Sequence, residues 1–146
     1  MTVHFSRAAL PALAALLATT LPAAALDPTP QAAVVTPLVS TDRTDAGQPL
    51  VLPRENPRVI VSIFEIAPGA TLPVHKHPSA RYAYVLEGHL RVTNADTGAS
   101  KDYKAGDFVI EMIDTWHLGA NVGDDTVRLV VIDQVEGDAP NTILKE

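Results

Sequence analysis

The chain of 146 residues contains no cysteine. No disulfide framework is available to it, and attachment of a lipid through a cysteine is excluded. Basic residues are scarce: 11 Lys and Arg stand against 17 Asp and Glu, for a net charge of −6. Such a surface repels phosphate backbones and anionic lipid, so no nucleic-acid partner is expected. There is no long segment of 3.6-residue hydrophobic periodicity, no internal repeat, and no low-complexity tract beyond the N-terminus. The uncharged run Ala8–Leu21 is about 14 residues long and is interrupted by Pro11, where a membrane-spanning helix needs ~20.

That run fits another purpose. His4 and Arg7 precede it, and Pro22-Ala23-Ala24-Ala25 follows, with Ala23 and Ala25 as the small residues of a cleavage site. This layout predicts a secretory signal peptide over residues 1–25, cut near Ala25. The mature protein is then periplasmic or secreted, with no membrane span. Beginning at Leu26, it has the length of one domain. Loss of Arg7 leaves ten basic residues against the 17 acidic ones.

Residues 26–57 contain six prolines, Pro28, Pro30, Pro37, Pro49, Pro53 and Pro57. Proline cannot donate to a sheet ladder, so this segment reads as an extended arm, with edge strands near Val34–Val39 and Leu50–Leu52. It could wrap its own domain or reach a neighbouring subunit. Over residues 58–146 the text changes to short β-rich runs between turn residues: Val59–Ile66, Tyr82–Leu86, Leu90–Thr93, Phe108–Ile113 and Thr126–Asp133. Regular alternation of strand and turn signals predicts an all-β sandwich or barrel. Asp96-Thr97-Gly98 is a hairpin-type turn signal.

Four histidines remain in the mature chain. His75 and His77 are two apart, so on a strand they share a face. His117 follows forty residues after His77. Neutral imidazole is the commonest protein ligand for divalent transition metals such as Fe, Mn, Zn, Ni and Cu. The spacing around these residues carries more information than the pair alone. Five residues separate Gly69 from His75-Lys76-His77, and Gly88 stands eleven positions after His77. Ten residues separate Gly106 from His117, and three separate His117 from Asn121.

These two motifs resemble those of the cupin superfamily, in particular the small single-domain cupins. The resemblance runs from about Val59 to Asp133. It implies a cupin-type jelly-roll, or double-stranded β-helix, barrel with a metal held inside by His75, His77 and His117, often in a homodimer. It also implies oxidoreductase chemistry, such as dioxygenation, on a small organic molecule. Two departures from the pattern stand out. Arg81 stands where the first motif usually has a glutamate ligand, replacing an anion with a permanent cation. Met112 and Asp114 stand where the second motif usually has Pro-x-Gly.

Three residues near the histidines follow from these departures. Glu111 lies amid Phe108, Val109, Ile110, Met112 and Ile113. It could pair with Arg81, supply the missing metal oxygen, or act as a general base; strand alternation equally allows it to face solvent. Arg81 could instead hold the carboxylate of an anionic ligand by a bidentate contact, in which case the protein is a non-catalytic binding module. In a third reading the histidines are vestigial. Trp116 is expected at the wall of the cavity mouth. Glu87, His89 and Arg91 are expected in solvent, and Tyr82 and Tyr84 on the sheet face opposite Arg81. Asn121 is expected to fix a turn.

Overall fold

The computed structural model describes residues 33–146; the signal peptide expected over residues 1–25 lies outside the described residues. Nine strands follow in order: β1 (Pro57–Ile66), β2 (His75–Lys76), β3 (Arg81–Glu87), β4 (His89–Asn94), β5 (Ser100–Lys104), β6 (Phe108–Ile110), β7 (His117–Asn121), β8 (Val127–Glu136) and β9 (Ile143–Leu144). No helix occurs among the described residues. The strands form two antiparallel sheets, ordered β1-β8-β3-β6 and β5-β4-β7-β2-β9. The all-β jelly-roll expected from the sequence is therefore present.

Period-two patterning decides which face of each strand is buried. On β8, Val127, Leu129, Val131, Asp133 and Val135 are buried and the residues between them are not. On β3 the buried set is Arg81, Ala83 and Val85. Both strands thus place one charged residue in an otherwise apolar buried row, and the two charges are cross-strand partners. Between the sheets lies a core of Ile66, Val85, Leu90, Tyr103, Val109, Leu129 and Val131. Full burial of an aliphatic side chain of this kind contributes about 1.5–3 kcal/mol. Gly88 makes the turn between β3 and β4 at φ +84°, and a Cβ there would meet Thr126 O and Val127 at 2.8 Å. Only glycine satisfies both constraints.

The N-terminal arm differs from expectation. No strand precedes β1 among the described residues; Val34–Val39 and Leu50–Leu52 are irregular, and a single bridge joins Arg43 to Pro49. Pro37, Pro49 and Pro53 withhold the N–H groups a ladder would use. The arm is held through side chains and loop amides instead. Asp45 N–H donates to Ile110 O (3.0 Å), Tyr103 Oη–H donates to Asp45 Oδ2 (2.5 Å), and Gln48 is bonded to both backbone groups of Ile113. These contacts brace the segment between β6 and β7, where the site lies.

Candidate metal centre

His75 on β2 and His117 on β7 are direct cross-strand partners. His77 lies just past β2, where it bridges to Ile113. Glu111 follows immediately after β6. The second motif's departure from Pro-x-Gly is visible here, because Asp114 keeps a glycine-like backbone at φ +49°. Aspartate tolerates that region better than most residues. Its N–H donates to His77 O (2.8 Å), and its carboxylate pairs with Lys76 Nζ (2.6 Å). The turn is retained without proline or glycine.

The three rings lie 4.6–4.9 Å apart, centroid to centroid. Each ring is anchored by the same kind of contact. Nδ1 of His75 donates to Pro73 O (2.7 Å), that of His77 to Asn141 O (2.5 Å), and that of His117 to Thr115 O (2.7 Å). A carbonyl oxygen only accepts, so each Nδ1 carries the proton, and a neutral ring then presents a bare lone pair at Nε2. The Nε2 atoms of His77 and His117 lie 3.0 and 2.9 Å from the same oxygen, Glu111 Oε2. One ligand atom from each of His75, His77, Glu111 and His117 falls within 4.8 Å of the others. Lone pairs and a carboxylate turned toward one another in a buried space repel unless protons or a cation stand between them. Fixing the second nitrogen by a carbonyl is how metal-binding histidines are commonly oriented. The donor set fits a divalent transition metal.

The electrostatics agree with that geometry. Burial raises the Glu111 carboxyl, but when His117 and His77 carry a second proton their Nε2–H bonds outweigh burial and hold it well below the usual carboxylate range. Burial lowers His117, and its bonds to Glu111 and Thr115 O reverse the sign, so its pKa is raised. His75 has no carboxylate contact of this kind. Burial lowers its pKa, and the neighbouring His77 and His117 add to the effect.

Arg81 is buried and lines the same cavity, with its NH1 3.4 Å from His77 Nε2. Its partner is not Glu111. Arg81 Nε and NH2 donate to the two oxygens of Asp133 at 2.7 and 3.0 Å, and NH2 also reaches Thr142 Oγ1 (3.1 Å). Asn141 Nδ2 donates to Asp133 Oδ1 at 2.6 Å. The Nε–NH2 edge of the guanidinium is therefore filled within the protein, and NH1 is the nitrogen left toward the histidines. The same pairing offsets the penalty of a cation beside a metal site. Glu111 is thereby free to face the histidines, and it does not point to solvent.

Trp116 was expected at the wall of the cavity mouth. It is not among the residues lining the cavity; its half-buried ring lies under Lys76 Nζ (5.1 Å) and Lys145 Nζ (5.5 Å). It precedes inward-facing His117 on the chain, so alternation turns it outward. His89 is exposed and lies 3.5 Å from Asp102, as expected of a solvent residue. Asn121 fixes its turn: Oδ1 accepts from Gly123 N–H, and Nδ2 donates to Ile66 O and Asp125 O. Asp133, Asn141 and Thr142 were not singled out by sequence. The one signal for Asp133 was its place as the lone charge in the apolar alternation of β8.

The cavity between His75, Glu111, His117 and Arg81 measures about 30 Å³, room for an ion and roughly one or two water-sized groups. A larger compartment of about 220 Å³ adjoins it, lined mainly by apolar residues including Tyr103, Val109 and Met112. Glu111 and Val92 line both spaces.

A family profile for the cupin domain matches residues 62–133. No curated protein sequence matches significantly. Among solved structures, the polyketide cyclase RemF from Streptomyces resistomycificus is similar at 22% identity and TM-score 0.51, covering 61% of this chain and 63% of that one. A double-stranded β-helix protein from Klebsiella pneumoniae is similar at 23% identity and TM-score 0.51, over 74% of this chain and 89% of that one. The cupin domain of Schizosaccharomyces pombe Cnp3 is similar at 25% identity and TM-score 0.50, over 62% and 72%. The chain spans somewhat less than two thirds of the cyclase. The two motifs, the facing sheets and the profile agree, and residues 62–133 of this chain form a cupin domain.

Proposed function

We propose that this protein is an exported metallo-cupin in which His75, His77, His117 and Glu111 hold one divalent transition metal. Its activity is of the oxidoreductase kind, resembling dioxygenation, on a small organic molecule bearing an anionic group. One observation carries the reading: three Nδ1–H groups are committed to carbonyl oxygens, and the opposite edges of the rings converge with a single buried carboxylate. Glu111 thereby supplies from the second motif the oxygen that Arg81 removes from the first.

A bound ion of this class supplies Lewis acidity and, for Fe, Mn or Cu, one-electron chemistry. The chain's own residues do the rest. The neutral imidazoles offset none of the ion's charge and the Glu111 carboxylate offsets one unit of it, which leaves a net positive charge for an anionic ligand. Glu111 lines both spaces, and its carboxylate oxygen not turned to the histidines is the one available to take a proton from a substrate lying in the larger one. That compartment suits a molecule somewhat larger than benzene, which fits an apolar cavity of about 150 Å³. Export rests on the uncharged run that ends in Pro22-Ala23-Ala24-Ala25.

The test is elemental analysis of protein recovered from its native compartment, with the mass of the same sample. The reading requires close to one equivalent of a transition metal and an N-terminus near Leu26. Metal-free protein under metal-replete conditions would sink the metal centre. Intact Met1 on soluble cytoplasmic protein would sink export.

A further inference from the structure

The larger compartment is not bounded by the barrel alone. Residues 42–50 of the arm fold into a turn that holds itself together. Leu50 N–H donates to Asp42 O (2.8 Å), Thr44 N–H to Gln48 O (2.8 Å), and Gly47 N–H to Thr44 O (2.9 Å). The tip of this turn puts Asp45 and Ala46 into the lining of the compartment, from outside the stretch that the cupin profile matches. Asp45 Oδ2 accepts from Tyr103 Oη–H and from Ile110 N–H (3.2 Å), while Oδ1 lies 3.2 Å from Lys101 Nζ. Other polar side chains of the lining are engaged elsewhere. Asn94 Oδ1 accepts from the Asp96 and Thr97 amides (2.9 and 3.0 Å), and Ser100 Oγ is bonded to Thr93 Oγ1 (2.9 Å).

Charge is unevenly distributed over this lining. An ion held by neutral imidazoles and Glu111 keeps a net positive charge, whereas Asp45 and Lys101 cancel each other. We infer that the arm tip selects the substrate: a monoanion with a compact apolar body, its charged end toward the metal centre and its far end neutral against the Asp45–Lys101 pair. This rests on the metal-centre reading and names the substrate class for it. The pair sets a spare lone pair of Asp45 Oδ1 beside spare N–H groups of Lys101. A hydroxyl or an amide both donates and accepts, and so matches the two together. A second carboxylate would give up its water beside Asp45, whose side chain is only 24% exposed, with the nearby ammonium already engaged. Such a buried and poorly compensated charge is strongly unfavourable. Ala46 keeps this part of the compartment open, where a large side chain would narrow it.

Titration calorimetry on the metal-loaded protein with acetate, benzoate, 4-hydroxybenzoate and terephthalate tests this. Benzoate should bind at least about tenfold more tightly than acetate, through burial of its ring. The hydroxyl of 4-hydroxybenzoate should add a further factor of about 2–10. Terephthalate should bind at least about tenfold more weakly than benzoate. Asp45→Asn keeps an acceptor for Tyr103 and releases the Lys101 charge, so terephthalate should gain about tenfold. Lys101→Met leaves Asp45 uncompensated and should weaken terephthalate further. Loosening of the arm alone does not move one probe in opposite directions. Ala46→Trp should weaken the three ring probes and spare acetate, with parental metal content. Equal affinity of the parent for 4-hydroxybenzoate and terephthalate overturns the inference. So does a terephthalate affinity indifferent to both Asp45→Asn and Lys101→Met. Ring probes that bind no more tightly than acetate overturn it and leave the metal centre standing, whereas a metal-free parent sinks both. Should Asp45→Asn fail to fold, Lys101→Met decides alone, because that side chain is 56% exposed. Terephthalate weakened with benzoate unmoved is then the expected result, and both unmoved the overturning one.

Discussion

Arg81 and Asp133 stand directly opposite each other on β3 and β8, and the guanidinium closes on the carboxylate at two points, 2.7 and 3.0 Å apart. Both side chains are more than nine-tenths buried. Removing one member leaves an unpaired interior charge, which destabilises by about 3–5 kcal/mol. Asp133→Ala should therefore lower the urea midpoint steeply, while the double variant Arg81→Met/Asp133→Leu should recover much of the loss. Equal destabilisation by both would show that packing, and not charge, dominates at this position.

Metal content separates the four ligands from the bystander histidine. Alanine at His75, His77 or His117 should lower metal affinity, and Glu111→Gln should do so by at least the 10–100-fold typical of residues one step further out. His89→Ala should leave affinity unchanged, because His89 is exposed on β4. Titration calorimetry on the five variants checks this, and a Glu111→Gln protein of parental affinity would remove the carboxylate from the ligand set.

Protons and metal compete for the same Nε2 atoms. His117 has its pKa raised above 6.5 by Glu111 and Thr115 O against the opposing effect of burial. Its ring therefore takes a proton before that of His75 as pH falls, and affinity should start to drop above pH 6.5. His75, lowered by burial, is protonated only below 6.5 and contributes a second decline there. Binding isotherms between pH 5 and 8.5 should show affinity increasing with pH throughout. Glu111→Gln removes the bond that raises His117, so its onset should move to lower pH. A flat profile would argue against imidazole ligation.

Gln48 ties the arm to the segment that carries the site. Its amide donates to Ile113 O (2.7 Å) and accepts from Ile113 N–H (3.0 Å). Gln48→Ala leaves both backbone groups without that partner, a loss of about 1–3 kcal/mol where the groups stay dry. The variant should show a lower Tm, with faster amide exchange at Ile113. A parental exchange rate would mean that water replaces the side chain.

The histidine triad was legible because two residues two apart on a strand must share a face, and the glycine spacings placed His117 against them. Glu111 was not, because the alternation that would assign its direction stops when β6 ends at Ile110. No local pattern announces that Asp133, 52 residues from Arg81, is its partner; register across a sheet is set by the whole fold. The apolar runs Val34–Val39 and Leu50–Leu52 suggested strands, and their prolines prevented them. Trp116 looked like a cavity wall by its proximity to His117, yet adjacent residues on a strand face opposite ways.

The bond from His77 Nδ1 to Asn141 O closes a loop of 64 residues. Asn141 also holds Asp133 and the Ser79 amide, so one segment latches both the ligand histidine and the arginine beside it. During synthesis, chain through His77 is complete well before either His117 or Asn141 has been made. Up to that point two histidines rotate freely, with no anchor for one of them and no opposing strand. Such a nascent chain offers an ion a weak two-point grip at most. On the proposed reading, capture of metal falls after chain completion, and the compartment in which folding finishes sets which ions are on offer.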